Sequence, residues 1–245
     1  MSRVRGFAAA AVVLVPLLIC PRLVGADSFE AERAAMVGVV ESYRADAVRL
    51  LGGEGFDPRV LDVMRRVPRH AFMPESQHHR AYGDHAVTIG FGQTISQPLI
   101  VALMTNLLQP EPDHTMLEVG TGSGYQAAVL AHLVRQVYTI EIVPPLAERA
   151  RAKLAELGYD NVAVRTGDGY HGWKEAGPFD GILVTAGASH IPPKLVEQLK
   201  PGARMVIPVG ERNSVQHLTL VEKTATGETR VRQLLPVRFV PLTGR

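Results

Sequence analysis

The amino-acid sequence predicts an α/β fold: a doubly wound, mostly parallel sheet with antiparallel C-terminal edge strands and a helical N-terminal cap. A glycine-rich loop at 120–124 separates a strand-like segment from a helix-like one, as at the start of a nucleotide-binding βαβ unit. Apolar strand-like segments then alternate with helical ones up to residue 209, which is typical of a parallel sheet covered on both faces. Two further strand-like segments flank the turn Thr226-Gly227 and predict an antiparallel pair.

The helical cap is predicted from patterns that precede the glycine loop. We expect residues 27–88 to form this cap and residues 89–245 to form the core with its C-terminal extension. Helical periodicity runs over 34–51 and ends at Gly52-Gly53, and the pair Asp57-Pro58 begins a second helix.

The glycine loop itself points to a ligand. Gly120, Gly122 and Gly124 alternate with small residues such as Thr121, and Glu118 stands two positions before the first glycine. Glycine permits positive φ and close approach of a ligand to the backbone, and the N–H groups at the helix start face that ligand. Dinucleotide-binding folds have G-x-G-x-x-G, whereas the G-x-G-x-G spacing here favours S-adenosylmethionine (SAM), which has no pyrophosphate. A glycine turn without a ligand is the alternative.

Two acidic residues follow later strands of the same unit. Glu141 ends the second strand, 21 residues after Gly120, where a ribose-binding carboxylate belongs. Its oxygens can accept from both ribose hydroxyls. Asp168 lies between Gly167 and Gly169 after the third strand and could accept the adenine amino group. The alternatives are an exposed strand-end glutamate and ordinary turn chemistry.

The other elements of the core are predicted in chain order. A helix over 146–154 is stopped by Gly158, and the segment Lys200-Pro201-Gly202 ends a later one. Strands are predicted at 137–141, 162–165, 179–185, 203–209, 216–222 and 228–235, with the later helix at about 193–199.

Segments outside the glycine loop resemble one enzyme family. They lie at 67–74, at 90–98, at 167–169 and in the tail 239–243. Over about residues 36–245 the chain resembles the protein-L-isoaspartate O-methyltransferases, which are class I SAM-dependent enzymes with a Rossmann-like fold. The glycine loop fits any class I methyltransferase, whereas segments 67–74 and 94–98 are specific to this family.

The resemblance implies a reaction. The enzyme would transfer a methyl group from SAM to the free α-carboxylate of L-isoaspartyl residues in damaged proteins and peptides. The ester then closes to a succinimide, whose hydrolysis returns some normal aspartate. A carboxylate is already an anion at neutral pH and needs in-line approach at about 3 Å, so no Ser-His-Asp triad is expected. Two alternatives stay open: a small-molecule methyltransferase on the same fold, and a non-catalytic binding module of the envelope.

The resemblance also implies residue roles. Ser96 is the catalytic residue, and we interpret its hydroxyl as a donor that positions the substrate carboxylate. The alternative is that Ser96 is the N-cap of the helix that starts near Gln97-Pro98. Val240 binds substrate with Ser96. The cofactor-binding residues are Ile95, Gln97, Pro98, Glu118, Gly120, Thr121, Gly122, Gly124, Glu141, Asp168, Gly169 and Thr243.

Residues 1–26 have the features of a secretory signal peptide. Arg3 and Arg5 precede an apolar run over 7–19, and Val24-Gly25-Ala26 fits a cleavage site. The run is too short for a comfortable membrane span. We therefore expect a periplasmic protein with no stable membrane insertion after cleavage. The cytoplasm is the alternative, because SAM is made there and most relatives by resemblance are cytoplasmic.

Composition argues against several other partners. Without residues 1–26 the 26 lysines and arginines fall to 23, against 24 acidic residues, so there is no case for nucleic-acid binding. The only cysteine, Cys20, lies in the same segment, and no disulfide framework is expected. The nine histidines lack metal-ligand spacing, so we expect no metal. We expect a monomer whose partners are isoaspartyl-containing proteins and peptides.

Overall fold

A computed structural model describes residues 29–53, 55–211 and 214–244. The predicted signal peptide at 1–26 and its cysteine lie outside the described residues. Within the described part, no helix combines the length and the apolar character needed to cross a membrane, and no group of three or more potential metal-ligating side chains comes together.

The segment before the glycine loop is mainly helical and ends in a short hairpin. Two 3₁₀ turns, Arg69–Phe72 and Glu75–Arg80, follow its third helix. The elements are α1 (Glu30–Ser42), α2 (Arg44–Leu51), α3 (Pro58–Arg66), β1 (Val87–Gly90), β2 (Gln93–Ile95) and α4 (Pro98–Leu108).

The single helix expected over 34–51 is wrong, because the chain forms two helices there. The first begins at Glu30, and the chain leaves it at Tyr43. The Ser42 hydroxyl donates to the Val39 carbonyl at 2.6 Å, a bond back to the preceding turn that bends helices. The start of α3 is as predicted, since Asp57 accepts from the Arg59 N–H at 2.8 Å and caps the helix.

The core is a seven-stranded sheet in the order β5-β4-β3-β6-β7-β8-β9. All pairs as far as β7 are parallel, and β8 and β9 join antiparallel at one edge. This confirms the predicted fold class. The elements are β3 (Thr115–Val119), α5 (Tyr125–Ala131), β4 (Gln136–Glu141), α6 (Pro144–Glu156), β5 (Val162–Thr166), β6 (Phe179–Val184), α7 (Pro193–Glu197), β7 (Leu199–Val209), β8 (Gln216–Lys223) and β9 (Thr229–Val237).

Both faces of the sheet are buried. Met116 packs in one apolar cluster with helices α1, α3, α4 and α5, whereas its neighbour Leu117 packs in a second cluster with Leu195 of α7. Successive strand residues point to opposite faces, and here each face meets a hydrophobic layer. This explains why the parallel strands have nearly continuous apolar sequences.

The strand order places a topological switch point beside β3. Helix α5 leads from β3 to β4 on one side, whereas the chain returns from β5 to β6 on the other side. Ligands of open α/β sheets bind at such a point, beyond the carboxyl ends of the strands. The glycine loop, the end of β4 and the loop after β6 therefore meet at one edge of the sheet.

Candidate active site

A cleft opens at the carboxyl ends of β3, β4 and β6. The β2–α4 junction and the tail after β9 complete its walls. Most of the residues that the sequence predicts for the site line this cleft: Ile95, Ser96, Glu118, Gly120, Thr121, Gly122, Glu141, Gly169, Val240 and Thr243.

Gln97, Pro98 and Gly124 do not line the cleft, although the sequence predicts them for it. The Gln97 amide donates to Asp84 Oδ2 at 2.8 Å, and Pro98 is buried in the first turn of α4. Gly124 has φ 91°, and an added Cβ would lie 3.3 Å from the Leu154 side chain. The third glycine therefore lets α5 pack closely against α6.

Asp168 is also outside the lining of the cleft. Its Oδ1 accepts from the Tyr170 N–H at 2.9 Å, as the cap of a short 3₁₀ turn, and its carboxylate lies against Gly244. The neighbouring Gly169 does line the cleft. The turn chemistry that was the alternative for Asp168 thus describes its bonding in this structure, and its predicted adenine contact stays a prediction.

The glycine loop is held by bonds from neighbouring strands. The N–H groups of Gly120 and Thr121 donate to the Ile140 carbonyl at 2.8 and 3.1 Å. The Thr185 hydroxyl donates to the Gly120 carbonyl at 2.6 Å. Gly120 and Gly122 have φ of 97° and 52°, a region where glycine carries no steric penalty. The loop is therefore fixed in a conformation that other residues disfavour.

Glu141 shapes this loop and faces the cleft. Its side chain is buried, and Oε2 accepts from the Gly122 N–H at 2.7 Å, while Oε1 accepts from the Val143 N–H at 2.9 Å. Each carboxylate oxygen has two lone pairs, so each can accept a second bond from a ligand hydroxyl. The geometry is compatible with ribose recognition.

Glu118 is a buried carboxyl in the wall of the cleft. Its Oε2 accepts from the Thr139 hydroxyl at 2.5 Å, and Thr139 is bonded in turn to Thr121 at 2.7 Å. Burial raises the pKa of Glu118 to about 8, the Thr139 bond opposes this, and the Glu141 charge adds to it. Oε1 has no hydrogen-bond partner among the described residues. A buried acceptor without a partner suits a polar ligand group.

Ser96 lines both the cleft and a second cavity. Thr94, Thr185 and Val240 also line both spaces. Within the part of the chain that the structure describes, the Ser96 hydroxyl makes no hydrogen bond, and it is therefore available to a molecule in either space.

The structure does not support Ser96 as the N-cap of α4. Helix α4 begins at Pro98, and Gln97 occupies the cap position without a side-chain cap bond. Asp84 Oδ1 instead accepts from the Leu99 N–H at 2.9 Å, so a residue distant in sequence satisfies the start of the helix.

Hydrogen bonds hold the tail at 239–243 against the loop after β6 and the start of β8. The Gly187 N–H donates to the Val240 carbonyl at 2.8 Å, and the Leu242 N–H donates to the Gly187 carbonyl at 2.8 Å. The Phe239 N–H donates to Gln216 Oε1 at 2.9 Å. These bonds bring Val240 and Thr243 into the wall of the cleft.

Sequence reasoning missed several residues of the cleft. Thr185 and Ala186 follow β6, Ile142 follows β4, and Leu242 lies in the tail. The rule that sites lie beyond the carboxyl ends of strands at a switch point would have identified Thr185 and Ile142, but it requires the spatial order of the strands.

The sequence model of one family matches most of this chain. The model for protein-L-isoaspartate(D-aspartate) O-methyltransferase (PCMT) matches residues 46–245. The chain belongs to this family. Curated relatives agree: the chain is 57% identical over 235 residues to protein-L-isoaspartate O-methyltransferase 2 of Syntrophobacter fumaroxidans, covering 95% of each chain. It is 63% identical over 194 residues to a Polaromonas sp. protein of the same name, covering 79% of this chain and 92% of the relative.

Solved structures of the family have the same fold. A β-aspartate methyltransferase (PCMT) from Plasmodium falciparum, in complex with S-adenosyl-L-homocysteine, matches with a TM-score of 0.70 and 26% identity. The match covers 86% of this chain and 98% of that one.

Proposed function

We propose that the protein transfers a methyl group from SAM to the free α-carboxylate of L-isoaspartyl residues in damaged proteins and peptides. The observation that carries the proposal is the position of Ser96. Ser96 lies in the wall shared by the cofactor cleft and the second cavity, where a methyl donor and an acceptor would meet. Membership of the family supports the same reaction.

The residues of the cleft fit SAM. Glu141 offers two carboxylate oxygens for the ribose hydroxyls, and the glycine loop leaves room beside its backbone. Oε1 of Glu118 is a buried acceptor that suits an ammonium group. The Glu141 carboxylate complements a cofactor that carries positive charge, and an ammonium group at Oε1 would favour the ionised form of Glu118. When bound, SAM supplies an electrophilic methyl group on a sulfonium.

The second cavity suits an acceptor that needs little acid–base help. A carboxylate is an anion at neutral pH, so the site has to orient it in line with the methyl group and exclude water. The Ser96 hydroxyl is a neutral donor, and it can position the carboxylate without withdrawing its charge as an adjacent lysine or arginine would. Val240 supplies an apolar wall to both spaces, and Ile95 supplies one to the cofactor cleft.

An assay with methyl-labelled SAM tests the proposal. A peptide with one isoaspartyl residue and the same peptide with normal aspartate are incubated with the purified protein, and base-labile methyl ester is counted. We expect label on the isoaspartyl peptide alone. SAM binding without transfer to it would favour a binding module, and transfer only to small molecules from a cell extract would favour the small-molecule methyltransferase.

We also propose that the protein works in the periplasm. The charged start, the apolar run over 7–19 and the Val24-Gly25-Ala26 segment support export. In that compartment the enzyme would act on aged envelope proteins and would depend on SAM that reaches it from the cytoplasm.

A further inference from the structure

The lining of the second cavity includes one charged side chain. Its described lining consists of apolar and neutral polar residues with one ionisable side chain, Arg238. Arg238 is exposed, and within the part of the chain that the structure describes it makes no hydrogen bond or ion pair. By contrast, Arg204 pairs with Glu222 at 3.0 Å on the neighbouring strands. The cavity wall therefore carries one positive charge, the Arg238 guanidinium, and no acidic side chain among the described residues pairs with it.

The backbone around Arg238 is fixed, although its side chain is free. Strand β9 ends at Val237, the Phe239 N–H is bound by Gln216 and the Val240 carbonyl is bound by Gly187. The Cα atoms of Arg238 and Val240 are at most about 7 Å apart, because two residues span no more than this. The Cα atom of Arg238 is thus close to the wall that Ser96 and Val240 share, and its side chain lines the same cavity.

We propose that Arg238 is a specificity-determining residue that binds an acidic side chain of the substrate within two residues of the isoaspartate. The inference rests on the proposed function. An extended peptide advances about 3.3 Å per residue, so a spacing of up to about 7 Å corresponds to one or two residues along the substrate. With the isoaspartyl carboxylate at Ser96, the neighbouring side chains of the peptide come within reach of Arg238.

The chemistry of the side chain selects a carboxylate as its partner. A guanidinium stays charged at all physiological pH values and presents five N–H donors, which bind a carboxylate through two parallel hydrogen bonds. Arg238 lines the second cavity but not the cofactor cleft. It is therefore assigned to a flanking residue, and the reacting carboxylate is left to the neutral Ser96 hydroxyl.

Peptides that differ in one flanking charge test this inference. Three isoaspartyl peptides carry Glu, Gln or Lys two residues from the isoaspartate, with matched sets for either side. For the full-length protein we expect kcat/KM for the Glu peptide to exceed that for the Gln peptide about two- to fivefold, as for an exposed ion pair. We expect the Lys peptide to be the poorest substrate. The difference should lie in KM and should shrink as salt is added.

Variants at this position separate charge from structure. Arg238→Gln should remove the preference, Arg238→Glu should reverse it, and Arg238→Lys should retain it. Arg232→Gln is the matched control, because Arg232 is an exposed arginine of β9 outside the cavity, and it should keep the wild-type preference.

Two results would overturn the assignment of Arg238. One is equal kcat/KM for the Glu and Lys peptides with the wild-type enzyme. The other is a preference that survives in Arg238→Gln. Both leave methylation of isoaspartyl peptides intact, so they are distinct from failure of the proposed function, in which none of the isoaspartyl peptides is methylated.

Discussion

The hydroxyl of Thr185 and the backbone of Gly120 are in direct contact beneath the cofactor cleft. Thr185 donates to the Gly120 carbonyl at 2.6 Å, and a Cβ added to Gly120 would lie 2.5 Å from the same hydroxyl oxygen. The loop after β3 and the loop after β6 are therefore joined at Gly120, where there is no space for a side chain.

Gly120→Ala should destabilise the protein and weaken SAM binding. The added methyl meets Thr185, and the backbone at φ 97° disfavours any residue with a Cβ. Gly158→Ala is the control for backbone strain, because Gly158 has φ 77° and no atom within 4 Å of an added Cβ. That variant should lose ~1–2 kcal/mol and keep its SAM affinity. Thermal unfolding and calorimetry with SAM measure both effects. Equal losses in the two variants would argue against a special role for the Thr185 contact.

Ser96→Ala should lower activity without lowering stability. Losing one positioning donor in a water-poor site costs ~1–3 kcal/mol, or about one to two powers of ten in kcat/KM for an isoaspartyl peptide. The melting temperature should stay at the wild-type value, because Gln97 occupies the cap position.

Asp84→Ala is the matched variant for the start of α4. It removes the acceptor for the Leu99 N–H and should lower stability by ~1 kcal/mol, the usual cost of losing a cap. Thermal unfolding and isoaspartyl kinetics on the same samples compare the two variants. A lower melting temperature with full activity in Ser96→Ala would assign Ser96 a structural role instead.

Glu141→Ala should weaken SAM binding about tenfold to a hundredfold, since a hydrogen bond to a charged group is worth ~1.5–3 kcal/mol. The carboxylate also binds the Gly122 and Val143 N–H groups, so part of the loss comes from the loop. Calorimetry with S-adenosylhomocysteine and its 2′-deoxy analogue separates the two parts. The variant should lose more affinity for the hydroxylated ligand. Equal losses would mean that Glu141 acts on the loop alone.

Glu118 should make the protein less stable as pH rises. The pKa of Glu118 is raised from its ordinary value of 4.5 to about 8, mainly by burial. Between these pH values the folded protein keeps a proton that the unfolded chain has lost, so the free energy of unfolding falls with increasing pH. Below about 4.5 the carboxyl is protonated in both states and the effect vanishes.

Glu118→Gln should remove this dependence, because its amide does not titrate. The melting temperature of the variant relative to wild type should rise from pH 5 to pH 8. Glu228→Gln, at an exposed position in the β8–β9 turn, should follow the wild type. A constant difference between Glu118→Gln and wild type over this range would contradict the raised pKa.

The leader should be cleaved after Ala26 in the native host. Mass spectrometry of the protein from a periplasmic fraction should find Asp27 at the N-terminus. Intact Met1 on protein recovered from the cytosolic fraction would overturn the export proposal.

Local sequence patterns and the family resemblance identified several residues that meet in the structure. The glycine loop, Glu141 and Ser96 line one cleft, and their roles there stay predictions. Thr185 was missed because it joins the cleft through the pairing of β6 with β3, which are about 65 residues apart in the chain. No pattern around Thr185 encodes that neighbour.

Three residues predicted to contact the cofactor also make contacts within the protein that local sequence does not reveal. The Gln97 amide donates to Asp84, and Asp168 accepts from the Tyr170 N–H within its own turn. Gly124 is needed for the packing of α5 on Leu154. Each of these residues has a contact within the protein, and its predicted cofactor contact stays a prediction.

The bonds that fasten the tail to Gly187 have a consequence for the order of folding. The cleft takes residues from segments that include 93–96, 118–123, 140–142, 185–186 and 240–243, so its walls are joined by contacts across about 150 residues of chain. Closing such long loops costs conformational entropy before the contacts that stabilise the fold have formed. Recovery of enzyme activity during refolding should therefore lag behind the formation of the helices, and catalysis reports on completion of the native topology.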